Sequence, residues 1–144
     1  PQRQAYRLVD LRRFSEHLGL PLNLHPKFFP VSGDPAARLI VAVDQQDGSD
    51  AALRIAGAVL AAVWVQERDI ASDAVLAELL DGCGLPGDRL AQSKEAGVQQ
   101  QYEAHTQMAI EADVFGSPSY LIDGELFWGQ DRLDFVQRKL SSDH

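Results

Sequence analysis

Residues 114–133 read VFGSPSYLIDGELFWGQDRL and form the most informative pattern in this 144-residue chain. Two short apolar runs, at 120–122 and 126–128, flank an Asp-Gly pair, and Asp-Gly between β-favouring residues is a strong signal for a two-residue hairpin turn. Pro118 precedes the first run, and because proline lacks a backbone N–H we expect it at a strand start, a sheet edge or a cis turn. The pattern therefore predicts two antiparallel strands that are entered through a proline turn.

A helix is predicted to follow the second strand. Leu133, Val136 and Leu140 fall at helical spacing, and Gln130 or Asp131 would then stand at the helix N-terminus. The first N–H groups of a helix have no partner within it, so they are available to a carboxylate. This part of the chain thus combines a backbone platform suited to a small peptide with a helix start suited to an anion.

The chain ahead of residue 114 is predicted to be helical. Apolar spacing and the positions of Gly and Pro indicate helices at about 2–18, a short one after Pro35, at 51–66, after Ser72 up to the glycines at 82–84, at 88–96 and at 99–112. The segment 51–66 is apolar on almost every face, so we expect it to be the buried central helix, with Ser49 and Asp50 supplying its cap.

Composition and charge favour a protein that acts on small molecules. The chain is 45% apolar and 24% charged, which suffices for the cores of one or two small domains. Its net charge of −8 argues against nucleic-acid or anionic-membrane partners, because those require clustered Lys and Arg. The sequence has no signal peptide pattern or membrane-length apolar run, and the lone Cys83 excludes an intramolecular disulfide. We therefore expect a cytoplasmic enzyme.

The same residues resemble a known enzyme family. The proline loop, hairpin and following helix are similar to the C-terminal half of a thioredoxin-like domain. Within them, DGE at 123–125, FWG at 127–129 and DRL at 131–133 resemble the 2-hydroxychromene-2-carboxylate isomerase family, close kin of the kappa-class glutathione transferases. Further blocks follow that family's order and extend the resemblance to nearly the whole chain: YxxxDLxRF at 6–14, LGLPL at 18–22, AARL at 36–39 and VWxxxRDI at 63–70.

The resemblance implies an α/β fold of the thioredoxin-like, DsbA-like type with a large all-helical insertion. Residues 1–113 would form the helical insertion domain, and residues 114–144 the C-terminal half of the thioredoxin-like domain. The chain itself would be mostly helical, with a C-terminal β-hairpin and helix. A thioredoxin-like sheet also requires a β-α-β unit, and we expect this N-terminal lobe upstream of Pro1, because two strands alone make a marginal sheet.

The resemblance also implies glutathione as the cofactor. In the family, its thiolate adds to an unsaturated 2-oxo acid and permits cis–trans isomerisation during aromatic catabolism. The backbone of Ser117, ahead of Pro118, would pair with the cysteinyl unit of glutathione. Asp131 and the N–H groups from Gln130 to Arg132 would hold the γ-glutamyl unit, whose ammonium and carboxylate need opposite charges.

Two further candidate binding residues lie on the first predicted helix. Arg3 and Asp10 match positions that approach glutathione or shape its pocket in kappa-class relatives, and Arg3 stands where a lysine is common there. They are seven residues apart, about two helical turns, and therefore share a face. The serine that lowers the pKa of the sulfur belongs to the upstream lobe, so no catalytic residue is assigned in this chain, and we expect these 144 residues alone to be inactive.

Each candidate residue also has a purely structural interpretation. Asp131 can be an N-cap with Arg132 as its surface partner, Pro118 a rigid turn, and Asp10 one half of an ordinary ion pair with a neighbouring arginine. Cys83 has no cysteine or histidine neighbour and is expected to be an inert thiol. The histidines show no ligand spacing, so we expect no metal site; they are His17, His25, His105 and His144.

Three classes of function remain open. The preferred hypothesis is a glutathione-dependent isomerase, or a kappa-class glutathione transferase, with a small-molecule substrate and glutathione as partners and a homodimer as in related enzymes. The second is a DsbA-like thiol-disulfide oxidoreductase. The sequence upstream of Pro1 separates these two, since the first expects Ser-Pro-x-Ser-like text and the second Cys-x-x-Cys. The third is a non-catalytic binding or dimerisation module, which would melt cooperatively and show no affinity for glutathione.

Overall fold

The structure is a computed structural model that describes residues 2–142. Pro1, Asp143 and His144 lie outside the described residues, and so does the expectation that His144 binds no metal. The described residues form seven α-helices, two strands and one 3-10 turn. In chain order they are α1 Gln2–Leu18, α2 Asp34–Asp47, α3 Ser49–Trp64, α4 Asp73–Gly82, α5 Arg89–Gln92, α6 Ala96–Glu111, β1 Ser119–Ile122, β2 Glu125–Trp128, the 3-10 turn Gln130–Arg132 and α7 Leu133–Ser142.

The chain divides into two compact units, residues 1–100 and 101–144. The boundary falls within α6. The domain division predicted after residue 113 separates the helical insertion from the thioredoxin-like part of the family's fold, and it stays a prediction. Across residues 2–142, none of the helices is both long enough and apolar enough to cross a membrane.

The core of the first unit is built from α2, α3 and α4. Its largest fully buried side chains are Leu39, Val43, Ile55, Leu76 and Leu80. Those in α2 and in α4 are each spaced four residues apart, so each helix turns one apolar stripe inward. Complete burial of such a side chain contributes about 1.5–3 kcal/mol, which makes this cluster the main source of stability in the unit.

Helix α3 is buried on one face only, so the prediction of a buried central helix is wrong. Ile55 and Val59 lie in the core, whereas Leu53 and Leu60 are 72% and 60% exposed. A helix that is apolar all round gives no sequence signal for which face is covered. The predicted cap is wrong as well, because α3 begins at Ser49 and the hydroxyl of that residue donates to the Asp44 carboxylate at 3.0 Å.

Other helix boundaries differ modestly from expectation. Helix α1 spans its predicted range and is followed by Gly19 at φ +65°, the usual conformation after a helix end. Helix α2 is fourteen residues long rather than short, with Pro35 in its first turn, where a missing N–H costs nothing. The predicted helix at 88–96 is only four residues long, and just after it the buried Ser93 donates its hydroxyl to the Leu90 carbonyl at 2.7 Å.

The C-terminal hairpin matches its prediction. Strands β1 and β2 pair antiparallel from Ser119 opposite Trp128 to Ile122 opposite Glu125. The two turn residues between them have φ of +51° and +79°, as a two-residue hairpin with the right-handed strand twist requires. The peptide bond between residues 117 and 118 is cis, one of the arrangements expected for this proline.

Trp128 packs against the loop that precedes β1. Its ring makes an edge contact with Phe115, with centroids 5.0 Å apart and planes at 62°. A Cβ at Gly116 would lie 2.6 Å from the Trp128 Nε1 atom, so the glycine is needed for this approach. The loop and the end of β2 are therefore joined by side-chain packing as well as by the hairpin.

A bidentate ion pair fixes α5 to the end of α2. Arg89 donates from Nε and Nη2 to the two oxygens of Asp47, at 2.8 and 3.0 Å. The two side chains are only 14% and 19% exposed, and a second partner, Asp88, is 64% exposed. The hydrogen bond from Arg89 holds the pKa of the Asp47 carboxyl below its ordinary value of 3.8.

We predict that this ion pair makes stability depend on pH in the acid range. Because folding lowers the pKa of Asp47, its contribution is fully present above the unfolded pKa and is lost as the pH falls through the folded value, which lies below 3.8. Asp47→Asn should lower the urea midpoint at pH 7, and the difference from the parent chain should shrink below about pH 4. Asp88→Asn is the control with the smaller expected effect, and an unchanged difference at low pH would contradict the assignment.

We also predict that Gly116→Ala destabilises the hairpin. The new methyl group has to displace the Trp128 ring, and such overpacking costs about 1 kcal/mol when the neighbour is half exposed and can partly yield. The measurement is thermal unfolding together with tryptophan emission. Gly87→Ala is a suitable control because a Cβ there meets nothing within 4 Å, and equal effects of the two variants would count against the packing role.

Candidate functional site

A small cavity lies at one end of the hairpin. Its volume is about 250 Å³, and it is lined by Ser117, Trp128, Gly129, Gln130, Asp131 and Arg132. The structure thus brings together four of the predicted binding residues from two separate segments. All of its lining belongs to the unit 101–144.

Two hydrogen bonds hold the proline loop at the edge of this cavity. The Ser119 hydroxyl donates to the Gly116 carbonyl at 2.6 Å, and the Gly129 N–H donates to the Pro118 carbonyl at 2.9 Å. Pro118 is not among the lining residues but supplies the acceptor that ties the loop to the end of β2. Ser117 lies between these two anchors and is exposed, so its backbone is both fixed and accessible.

Gly129 is a site residue that the sequence interpretation missed. Its φ of +114° lies in a region that L side chains rarely adopt, and a Cβ there would come within 2.5 Å of the Asp131 Oδ1 atom. Glycine therefore allows the chain to turn out of β2 and lets the Asp131 carboxylate fold back over the turn. The sequence feature that could have identified this residue is a glycine placed directly between a predicted strand and a predicted helix start.

Asp131 and Arg132 form an ion pair within the cavity wall. Arg132 Nη1 lies 2.7 Å from Asp131 Oδ2, and the two side chains are 48% and 49% exposed. An ion pair with this exposure contributes little to stability, so opening it for a ligand costs little. Separated, the carboxylate can accept an ammonium group and the guanidinium can donate to a carboxylate.

The residues that lead into α7 line the same cavity. Residues 130–132 form the 3-10 turn ahead of α7, and Arg132 N–H donates back to the Gly129 carbonyl at 3.2 Å. The first N–H groups of such a start have no partner within the helix and carry the positive end of its dipole. Gly129 occupies the N-cap position of the 3-10 turn, so Asp131 is not the N-cap of this turn.

Arg3 and Asp10 belong to α1 in the other unit. Asp10 Oδ1 lies 3.7 Å from Arg13 Nη1, and its side chain is 42% exposed, which is the ordinary ion pair considered as the structural alternative. Arg3 is exposed and makes no hydrogen bond or ion pair within residues 2–142. A contact of either residue with glutathione stays a prediction.

Metal-ligating side chains do not cluster in the described part of the chain. Within residues 2–142 no three His, Cys, Asp or Glu side chains come together as a metal-binding group. Cys83 is partly buried next to the end of α4, with its sulfur 3.9 Å from the Arg54 carbonyl oxygen. In the cavity at the end of the hairpin, the Asp131 carboxylate and the Arg132 guanidinium are the charged groups that a ligand could meet.

Comparison with known proteins finds two relatives that share a name. The 2-hydroxychromene-2-carboxylate isomerase of Sphingobium xenophagum is 30% identical over 135 residues, which cover 92% of this chain and 66% of that protein. The enzyme of the same name from Pseudomonas putida is also 30% identical, over 92% of this chain and 63% of its own length. The chain thus spans slightly less than two thirds of the length of these relatives.

A solved structure and a family match establish the fold. The structure of a 2-hydroxychromene-2-carboxylate isomerase superposes with a TM-score of 0.77 at 24% identity, over 96% of this chain and 66% of that one. Residues 1–141 match the DSBA-like thioredoxin domain. The predicted fold class, mostly helical with a C-terminal hairpin and helix, is confirmed. The chain belongs to the family of DSBA-like thioredoxin domains.

Proposed function

We propose that this chain carries the glutathione-holding part of a glutathione-dependent isomerase acting on an unsaturated 2-oxo acid from aromatic catabolism. The observation that carries the proposal is the cavity where the Ser117 backbone, the Asp131–Arg132 pair and the start of α7 meet. The isomerase names of the relatives support the class of reaction.

The cavity fits one end of glutathione. Its volume of about 250 Å³ lies just below the roughly 300–1,000 Å³ that holds a whole small ligand, so it suits the γ-glutamyl end rather than the entire tripeptide. The Asp131 carboxylate would accept the ammonium group, while the Arg132 side chain and the N–H groups of Gln130 and Asp131 at the helix start would bind the α-carboxylate. Gly129 keeps this turn open, since a side chain there would occupy the place of the carboxylate.

The role of the chain in the reaction is orientation. When bound, glutathione supplies a thiolate that adds reversibly to the substrate double bond and so permits rotation. The Ser117 backbone would pair with the cysteinyl unit, and the cavity would hold the γ-glutamyl end, which together fix where the sulfur lies. Activation of the sulfur is the role that the family resemblance gives to a serine upstream of Pro1.

A kappa-class transferase would use the same glutathione cavity. The two activities differ in the fate of glutathione, which an isomerase returns unchanged and a transferase consumes as a thioether. Measuring free thiol during turnover of an unsaturated 2-oxo acid by the enzyme therefore separates them. A constant thiol concentration supports the isomerase, and a stoichiometric loss supports the transferase.

We predict that Asp131→Asn weakens glutathione binding by about tenfold. The variant removes a charge-assisted hydrogen bond to the ammonium group, and tenfold corresponds to the lower end of the range for such bonds, as befits a half-exposed carboxylate. Isothermal titration calorimetry of the chain with reduced glutathione measures the effect.

Asp134→Asn is the matched control, because it removes the same charge one residue into α7 without altering the cavity lining. Its affinity for glutathione should equal that of the parent chain. Equal losses in the two variants would show a general charge effect instead of a contact, and absence of glutathione binding by the parent chain would refute the proposal.

A further inference from the structure

Trp128 touches both segments that line the cavity at the end of the hairpin. Its ring packs on the proline loop, since a Cβ at Gly116 would lie 2.6 Å from the Trp128 Nε1 atom. The next residue in the chain is Gly129, where the turn into α7 begins. Trp128 itself lines the cavity together with Ser117 and residues 130–132. The indole ring is therefore the surface that connects the proline loop to the start of α7.

The indole of Trp128 presents a hydrogen-bond donor with a fixed direction. The edge contact with Phe115, at 5.0 Å and 62°, and the close approach to Gly116 hold the ring in one orientation. An indole N–H can only donate, and within residues 2–142 the Trp128 Nε1–H makes no hydrogen bond. The side chain is 52% exposed, so a ligand in the cavity can reach this donor.

The groups that would bind the two ends of a ligand lie on either side of this ring. The backbone of Ser117 makes no hydrogen bond within residues 2–142 and is available to an extended peptide. The Asp131–Arg132 pair, which a charged amino-acid end could open, belongs to the other segment. A ligand that uses both has to cross Trp128, and what crosses has to suit an apolar ring with one donor at its edge.

A γ-glutamyl linkage has this chemistry and an α-glutamyl linkage does not. In a γ-linked peptide, two methylene groups separate the amino-acid end from the carbonyl of the amide. In an α-linked peptide, that carbonyl is bonded directly to the carbon that carries the ammonium group. The γ-linked chain can therefore lay its methylene groups on the ring and still bring its carbonyl to the far side of the ring.

We infer that Trp128 is the residue by which this cavity selects γ-glutamyl over α-glutamyl peptides. The methylene groups pack on the indole face, and the linkage carbonyl accepts a hydrogen bond from Nε1–H. The inference rests on the proposed function for the identity of the peptide. It adds which bond of that peptide is recognised, and by which side chain.

The test compares two isomers, γ-Glu-Cys-Gly and α-Glu-Cys-Gly, which have the same atoms and charges and differ only in linkage. Calorimetry with the 144-residue chain should show about tenfold tighter binding of the γ isomer, from one hydrogen bond together with the methylene contact. Trp128→Phe keeps a ring and removes the donor. It should weaken the γ isomer about fivefold and leave the α isomer unchanged, so that the preference falls to about twofold.

Trp64→Phe is the matched control, because it makes the same change at a residue outside this cavity and in the other unit. It should leave the affinities for both isomers unchanged. The chain has two tryptophans, so this variant also leaves Trp128 as the source of indole emission. Saturation with the γ isomer should shift that emission, which tests the contact with Trp128 itself unaltered.

The outcomes separate this inference from the proposed function. Equal affinities of the parent chain for the two isomers, an unchanged preference in Trp128→Phe, or no emission shift at saturation would overturn the role of Trp128. In each of these cases glutathione still binds and Asp131→Asn still weakens it, so the proposed function stands. Absence of glutathione binding by the parent chain would refute the proposed function, and the inference with it.

Discussion

One backbone hydrogen bond holds the candidate site together. The Gly129 N–H donates to the Pro118 carbonyl at 2.9 Å, one position beyond the last paired residues of β1 and β2. Ser117 directly precedes the residue with the acceptor carbonyl, and residues 130–132 directly follow the residue with the donor N–H. Together with the packing of Trp128 against Phe115, this bond holds the proline loop beside the start of α7, so that residues 117 and 130–132 line one cavity.

The parts of this fold that were predictable are those encoded locally. The Asp-Gly turn and its flanking apolar runs specify the hairpin within ten residues, and the spacing after residue 129 specifies α7. The role of Gly129 was not visible, because it arises from a backbone angle and from the approach of Asp131. The sequence did not indicate which side of α3 is exposed either, because a helix with apolar residues on every side has no polar face to mark the exposed one. A cavity of about 520 Å³ lined by residues of α1 together with Phe29 and Trp64 joins residues far apart in sequence, which periodicity cannot relate.

Three arginines in this chain show how the surroundings of the side chain decide whether it stabilises the fold or is available to a ligand. Arg89 donates two hydrogen bonds to Asp47, and both side chains are largely buried, so this ion pair holds α5 against the end of α2. Arg132 has one close contact to a half-exposed neighbour and can exchange it for a ligand. Arg7 lines the cavity that α1 forms with Phe29 and Trp64, and among residues 2–142 its side chain has no hydrogen bond or ion pair. The residue type is the same, and the surroundings decide what it can do.

The two hydrogen bonds donated by Asn23 serve the end of α3. They run from its backbone N–H to the Trp64 carbonyl at 2.7 Å and from its side-chain amide to the Val65 carbonyl, 42 residues along the chain, at 3.0 Å. The last carbonyls of a helix have no partner within it. A residue far away in sequence therefore completes the hydrogen bonding at this helix end, in the same region where the Phe29 and Trp64 rings pack 4.8 Å apart.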